Sequence, residues 1–219
     1  MAAIGKTSAQ LALRDPDIRL MLRVRANEAG AFEELVELYQ HRLVAVMHHL
    51  VGNAEEAEDL AQEVFLRVYR ARQKYRPRAK FSTWLFTIAN NLALNHLRAR
   101  SRRPVVPLAV NDSGPLGPRP AEQLVRDQAA QPVHRLQQQE LAALVQQAIQ
   151  GLNERQRAAV ILNKFEDMNY AEIAEVMGLT TKAVKSLLSR ARENLRQALR
   201  EYVYMDGEPL PAGPEEDSP

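Results

Sequence analysis

The chain has 219 residues, a formal net charge of +2 and no cysteine. The missing cysteines exclude disulfides, thiolate catalysis and cysteine-held metals, and they suit a reducing compartment. No apolar run approaches the ~18 residues of a membrane span, and the first residues, MAAIGKTSAQLALRDPD, lack the apolar core of a signal peptide, so a cytoplasmic protein is expected.

Charge is segregated although the total is near neutral. Residues 28–63 hold nine acids and one Lys or Arg, Arg42; residues 64–103 hold eleven bases and no acid. Separate acidic and basic surfaces imply two kinds of partner. Low glycine, few aromatics and abundant Ala, Leu, Gln, Glu and Arg predict an all-α protein.

After a flexible N-terminus (1–16), a short helix is predicted over 17–26. A longer one over 31–51 carries Phe32, Leu35, Val36, Tyr39, Leu43, Val46, Met47 and Leu50 on one face. Asn53 begins the next, with Glu56 as a capping-box partner and acids in the first turns, where the helix dipole favours them. This helix, to about residue 73, buries Ala57, Leu60, Ala61, Val64 and Val68. Its outer stripe is Asp59, Gln62, Glu63, Leu66, Arg67 and Arg70, a mixed charged face suited to a protein partner.

The stretch RVYRARQKYRPRAKFSTWLF (67–86) interleaves bases with Tyr69, Tyr75, Phe81, Trp84 and Phe86. Pro77 predicts a basic loop, YRPRAKF, before a helix over 82–100. Aromatic faces with Arg and Lys along the backbone suit unstacked single-stranded bases or one flipped base. Arg76, Arg78, Lys80, Phe81 and Trp84 are the candidate contacts. Trp84 and Phe86 have a competing reading as core, and Phe81 is evenly balanced. Asn91, Asn95, Arg98 and Arg102 continue one polar face along the helix.

Six prolines and two glycines lie between Pro104 and Pro132, so residues 104–135 are predicted to be a linker, with one helical turn near 121–129. A flexible chain of that length spans roughly 30 Å. A second helical domain follows over 136–205. One helix runs to Gln150. Asn153, with Gln156 as reciprocal partner, starts the next, and Asn169 with Glu172 caps a third, 170–177. The tail 206–219 is acidic, Pro-rich and predicted disordered.

Between the third helix and the next lies Gly178, four residues after the small Ala174. This is the spacing at which one helix crosses another closely after a sharp turn. In GLTTKAVKSLLSRAREN, Val184, Leu187, Leu188, Ala191 and Leu195 form an apolar stripe, while Lys182, Lys185, Ser186, Ser189 and Arg190 lie opposite. The pattern predicts a helix-turn-helix. Its second helix would enter the major groove, with Lys185, Ser186, Ser189 and Arg190 near base edges and Thr181, Lys182, Arg192 and Arg196 at its periphery or on phosphates. A solvated basic helix is the competing reading.

Two stretches, EEAEDLAQEVFLRVYRARQKYRPRAKFSTWLFTIANNLALNHLRARSRR and LNERQRAAVILNKFEDMNYAEIAEVMGLTTKAVKSLLSRARENLR, resemble bacterial RNA polymerase sigma factors of the extracytoplasmic-function (ECF) type. The resemblance implies two small helical domains, over 17–103 and 136–205. It implies that Asp59, Gln62, Glu63, Leu66 and Arg67 dock on the β′ clamp helices of core polymerase. The loop and following helix would capture and melt the minus-10 element, through Arg76, Arg78, Lys80, Phe81, Trp84, Asn91, Asn95 and Arg98. The second block would read the minus-35 element and bind the β flap, and an anti-sigma factor would be a further partner. The family often has Arg at the position of Leu187, which is expected to pack here. The alternative is a helix-turn-helix regulator with a helical sensor domain. An enzyme is not expected: there is no Gly-rich phosphate loop, no nucleophile elbow and no metal-spaced set among the scattered His41, His48, His49, His96 and His134. No cofactor is expected.

Overall fold

The computed structural model describes residues 15–102 and 132–200, with side chains from residue 140 in the second stretch. Most of the expected N-terminal segment and linker, with its turn near 121–129, and all of the acidic tail lie outside the described residues. Eight α-helices and one 3₁₀ turn make up the described structure, without a strand: α1 (Pro16–Arg25), α2 (Ala31–Val51), α3 (Ala54–Ala71), the 3₁₀ turn Arg72–Lys74, α4 (Phe81–Arg102), α5 (Pro132–Gln150), α6 (Glu154–Lys164), α7 (Tyr170–Met177) and α8 (Thr181–Ala198). The all-α expectation holds.

Local chemistry sets the helix ends. Asp15 caps α1, its Oδ1 accepting from the Asp17 N–H at 2.9 Å, and Pro16 occupies the first turn, where its missing donor costs nothing. Pro132 stands at the same kind of position in α5, so that helix starts four residues before the predicted Leu136. Asn53 accepts from the Glu56 N–H at 2.9 Å, as expected. The reciprocal half of that capping box does not form. The Glu56 carboxylate turns to α4 instead, where it meets His96 at 3.1 Å and Arg100 at 3.2 Å. Asn153 likewise accepts from the Gln156 N–H, but the Gln156 side chain is buried and accepts from Asn194 of α8. A cross-helix partner outcompetes the local one in both cases.

Helices α1 to α4 wrap one core. Tyr39, Phe81, Phe86, Leu35, Leu43, Met47 and Leu85 are fully buried in it, each worth roughly 1.5–3 kcal/mol over its exposed state. The Tyr39 hydroxyl donates to Asp17, and burial, reinforced by that carboxylate, holds its pKa far above the usual phenol value. Asp15 also accepts from the Phe81 N–H at 3.2 Å through Oδ2, so one carboxylate starts α1 and ties it to the start of α4.

Helices α6, α7 and α8 close a second, smaller core of Ile161, Ile173, Val184, Leu188 and Ala191. The two cores are continuous. Helix α6 lies on α2, and α7 lies on α4.

Candidate nucleic-acid interface

The turn between α7 and α8 is built as its sequence requires. Asn169 and Glu172 form a complete capping box at the start of α7. At its end Gly178 takes φ +63°, a conformation that L side chains rarely adopt, and the Leu179 N–H reaches back to the Ala174 carbonyl at 2.8 Å. Thr180 caps α8 by accepting from the Ala183 N–H. Val184, Leu188 and Ala191 are buried against α6 and α7, and Leu187 and Leu195 are half-buried and packed on the same core. Leu187 thus packs, as its chemistry demands. This locks the rotation of α8 about its axis. Thr181, Lys182, Lys185, Ser186, Ser189, Arg190 and Arg192 all emerge exposed on its outer side. Arg192 also donates, at a long 3.4 Å, to the Tyr170 hydroxyl, which ties α8 to the start of α7.

The basic loop is organised differently. Its aromatics are scaffold and its bases point out. Tyr75 is 3% exposed and packs on Trp84, ring centroids 4.8 Å apart. Phe81 is wholly buried, edge-on to Tyr39 and beside Trp84. Phe81 therefore offers no open face for a base in this arrangement, because the α1–α4 core needs its volume. Trp84 keeps part of its surface. Arg76, Arg78 and Lys80 are exposed, as are Asn91, Asn95 and Arg98 along one face of α4.

The eleven bases of this segment are less uncompensated than the sequence suggested. Arg67 meets Glu63 at 2.8 Å, Arg100 meets Glu56, and the Arg72 guanidinium sits 3.8 Å over the Tyr69 ring. Lys80 meets Glu172 of α7 at 2.7 Å, and that carboxylate holds its ammonium above the ordinary lysine range. Burial alone would push Glu172 up, but Lys80 and the Asn169 N–H bring it below the usual carboxylate range.

The outer face of α3 presents Asp59, Gln62, Leu66 and Arg67 to solvent, with Glu63 half-buried. Arg67 holds the Glu63 carboxyl low. Leu66 is 48% exposed and Tyr69, three residues on, 42%. Tyr69 was not among the expected contacts. Its signal was a large ring on the charged side of an amphipathic helix, in register with Leu66.

No signal in the sequence marks the seam between the two blocks. Arg42 of α2 reaches Glu166, just past α6, at 2.6 Å, and the Glu166 side chain is only 3% exposed. Burial raises its pKa despite the guanidinium. Arg157 donates to the Leu50 carbonyl at 2.7 Å, and Gln150 to the His49 carbonyl at 2.8 Å. His49 Nδ1 lies 2.6 Å from Gln146 Oε1, its ring packs at a tilt on Phe165, and burial lowers its pKa. Gly52 ends α2 at φ +80°, and a Cβ there would meet the Gln150 amide at 3.0 Å. Val46, Leu50, Phe86, Ala89 and Asn90 face Ala158, Ile161 and Leu162 across the join. Asn90 Oδ1, Gln146 Nε2 and Arg157 Nε are buried there without a hydrogen-bond partner among the described residues.

A helix-turn-helix with an outward basic and hydroxylic face, placed after a basic loop and helix, is the arrangement that the family comparisons match. The Sigma-70 region 2 profile fits residues 35–103, and the Sigma-70 region 4 profile fits residues 142–195. The chain is 37% identical over 191 residues to the RNA polymerase sigma-H factor of Pseudomonas aeruginosa, covering 85% of this chain and 95% of that protein. It is 32% identical to the ECF sigma factor SigW of Bacillus subtilis, covering 82% and 94%. It is 33% identical to the ECF sigma-E factor of Escherichia coli K12, covering 84% and 94%.

The chain belongs to the ECF family of RNA polymerase sigma factors.

Two solved structures share the fold of this ECF sigma factor. CnrH in complex with the cytosolic domain of CnrY aligns at TM-score 0.59 and 23% identity, over 83% of this chain and 96% of that one. RpoE of Bartonella quintana, bound to the anti-sigma factor NepR, aligns at 0.56 and 22%, over 78% and 98%. Among the described residues of the ECF chain, no helix is long and apolar enough to cross a membrane, and no three His, Cys, Asp or Glu side chains group as a metal site.

Proposed function

We propose that this ECF sigma factor binds core RNA polymerase in the bacterial cytoplasm and directs initiation at its promoters, with no catalytic chemistry of its own. Helix α8 reads the minus-35 element through Lys185, Ser186, Ser189 and Arg190, with Thr181, Lys182 and Arg192 holding the adjacent backbone. Arg76, Arg78 and Lys80 of the loop, with Trp84, Asn91, Asn95 and Arg98 of α4, receive the opened minus-10 strand, and Phe81 shapes the loop from beneath. The α3 face of Asp59, Gln62, Glu63, Leu66 and Arg67 docks on the β′ clamp helices, and the second block on the β flap. An anti-sigma factor is a further partner, since one solved neighbour was captured with an anti-sigma factor and the other with the cytosolic domain of a second protein.

The observation that carries this reading is the pair of basic surfaces on two separately built helical blocks, in sigma-factor order. Transcription with core polymerase on supercoiled promoter DNA from the chain's own genome tests it. Initiation at a subset of promoters only when the chain is added is the expected result. No initiation anywhere, together with tight duplex binding by the chain alone, would make it a conventional helix-turn-helix regulator. Asp59→Ala and Glu63→Ala should weaken polymerase capture in a pull-down while leaving the melting temperature in place.

A further inference from the structure

We propose that helix α1 braces the basic loop from both ends. Asp15 at its start holds the Phe81 N–H, Arg25 at its end holds the Tyr75 carbonyl, and both are positioning residues for Arg76, Arg78 and Lys80. The inference rests on the reading of that loop as the minus-10 surface.

Between the 3₁₀ turn and α4 the loop belongs to no helix, and among the described residues no strand lies beside it. Its side chains alternate all the same. Tyr75, Pro77 and Phe81 are buried and Ala79 is half-buried, whereas Arg76, Arg78 and Lys80 are exposed. A period of two is that of an extended segment. In a sheet the neighbouring strand fixes the rotation of such a segment. Here its two ends are tied to one helix.

At the first end, Asp15 divides its carboxylate. Oδ1 starts α1 by accepting from the Asp17 and Ile18 N–H groups, and Oδ2 accepts from the Phe81 N–H at 3.2 Å. At the other end, the Arg25 guanidinium donates to the Tyr75 carbonyl at 3.2 Å. A charged donor makes a stronger bond there than a neutral one. Arg76 donates to the same carbonyl at 3.0 Å, so the brace reaches the first exposed base directly. The Gln73 amide donates to the Arg25 carbonyl at 3.0 Å, and Arg72 Nε to Asn27 Oδ1 at 3.0 Å. Asn27 takes φ +57°, a left-handed conformation that Asn adopts more readily than most side chains. Helix α1 is firm enough for the part. Ile18, Leu20, Met21 and Val24 are buried in the core, and ten residues make a rod about 15 Å long. A loop already held in one arrangement does not lose that freedom again when a strand binds.

The deciding variant is Asp15→Asn. Asn and Asp cap helices about equally, so an oxygen remains for α1, but an amide replaces the second acceptor that Phe81 uses. The change also removes a negative charge beside a surface for a polyanion. Charge alone therefore predicts tighter strand binding, and the brace predicts weaker. The probes are a minus-10 single strand and a minus-35 duplex from a promoter identified in the transcription assay, offered to core polymerase assembled with each full-length variant. For Asp15→Asn, strand affinity should fall about threefold to tenfold, the scale of one lost hydrogen bond, with duplex affinity and melting temperature in place. In the free chain the Phe81 amide should exchange faster, and trypsin should cut faster after Arg78 and Lys80. Arg25→Gln should weaken strand binding to a similar degree with an unchanged salt dependence, and Arg25→Lys should restore part of it. The double variant Asp15→Asn with Arg25→Gln should lose less than the product of the single losses, since freeing either end frees the loop. Strand binding by Asp15→Asn as tight as wild type, or tighter, overturns the brace. Equal losses at both DNA elements, or losses that follow the melting temperature, reduce α1 to scaffold and overturn it too. A shallower salt dependence for Arg25→Gln would make Arg25 a phosphate contact instead of a positioning residue. Multiplying losses in the double variant would separate the two ends and overturn the joint action. If the wild-type complex binds no minus-10 strand, the functional reading falls instead, and amide exchange and cleavage still decide whether α1 holds the loop.

Discussion

The two candidate reading surfaces are built by opposite strategies. Helix α8 carries its contacts on one face of a regular helix, and an apolar stripe on the other face fixes their direction. Its chemistry follows from period alone: Val184, Leu188 and Ala191 go in, Lys185, Ser186, Ser189 and Arg190 come out. The loop before α4 has no period. Its exposed bases are aimed by three buried rings, Tyr75, Phe81 and partly Trp84, and by an Asp15 carboxylate sixty-six residues away in sequence. One surface is displayed; the other is positioned from beneath and engaged from the side by Glu172.

The largest effect should come from breaking the support of the second surface. Phe81→Ala removes a fully buried ring and should cost about 3–5 kcal/mol of stability. A denaturant melt of the full chain should show it. Arg78→Ala, three residues away and exposed, should leave the melt in place and weaken minus-10 strand binding. If the melt is the same for both variants, the rings are platforms rather than scaffold, and the division between the two surfaces fails.

The displayed surface should break without any loss of fold. Lys185→Ala or Arg190→Ala should each cost about 1–3 kcal/mol in minus-35 affinity if it makes a bidentate base contact. Changed base preference in a competition assay marks a base contact; uniform weakening across sequences marks a phosphate contact. Unchanged binding from both would remove α8 as the reader.

A smaller effect separates local from long-range support. Asn169→Ala deletes the capping-box acceptor at the start of α7 and should cost about 1 kcal/mol. Asn53→Ala, at the start of α3, should cost a similar amount, although Glu56 does not reciprocate there and is held by His96 and Arg100. Differential melts of the two variants measure whether the reciprocal half of the box adds anything.

These comparisons also mark what could be read in advance. Helix existence, the αL glycine after α7 and the outward set on α8 follow from nearest-neighbour chemistry, and all are visible in a run of twenty residues. The fate of Phe81 is not, because a ring beside Lys80 and Ser82 looks the same whether it faces solvent or Tyr39. The roles of Glu56, Glu172 and Arg42 were equally hidden. Glu56 and Glu172 are expected only as capping-box partners and Arg42 only as the single base of an acidic segment, yet each has a partner between 40 and 124 residues away. Charge counting along the chain overstated the free positive charge of the loop for the same reason: acids absent from the segment arrive from α3 and α7. The separation of the blocks by a Pro-rich stretch suggested independent bodies, and nothing in a linker's composition reports whether the domains it joins touch.

The finest test of the join between the blocks is acid. His49 lies in the join, hydrogen-bonded to Gln146 and packed on Phe165, with His48 beside it and Arg157 and the Arg42–Glu166 pair in the same join. Burial lowers its pKa, so the folded chain favours the neutral ring, while unfolding returns it to water and its ordinary value of about 6.5. The fold therefore keeps the His49 contribution above about pH 6.5 and loses it as the pH falls through and below that value. Glu166 acts in the other sense. Its carboxyl is raised by burial, so the folded form keeps the proton better and acid favours the join through this group, in a window nearer the carboxylate range. The melting temperature of the full chain should thus fall as the pH drops from about 7 to below 6, and His49→Gln should lessen the slope. A melting temperature that rises over this range would place Glu166 in control of the join, and a flat one would mean that the fold does not hold His49 neutral.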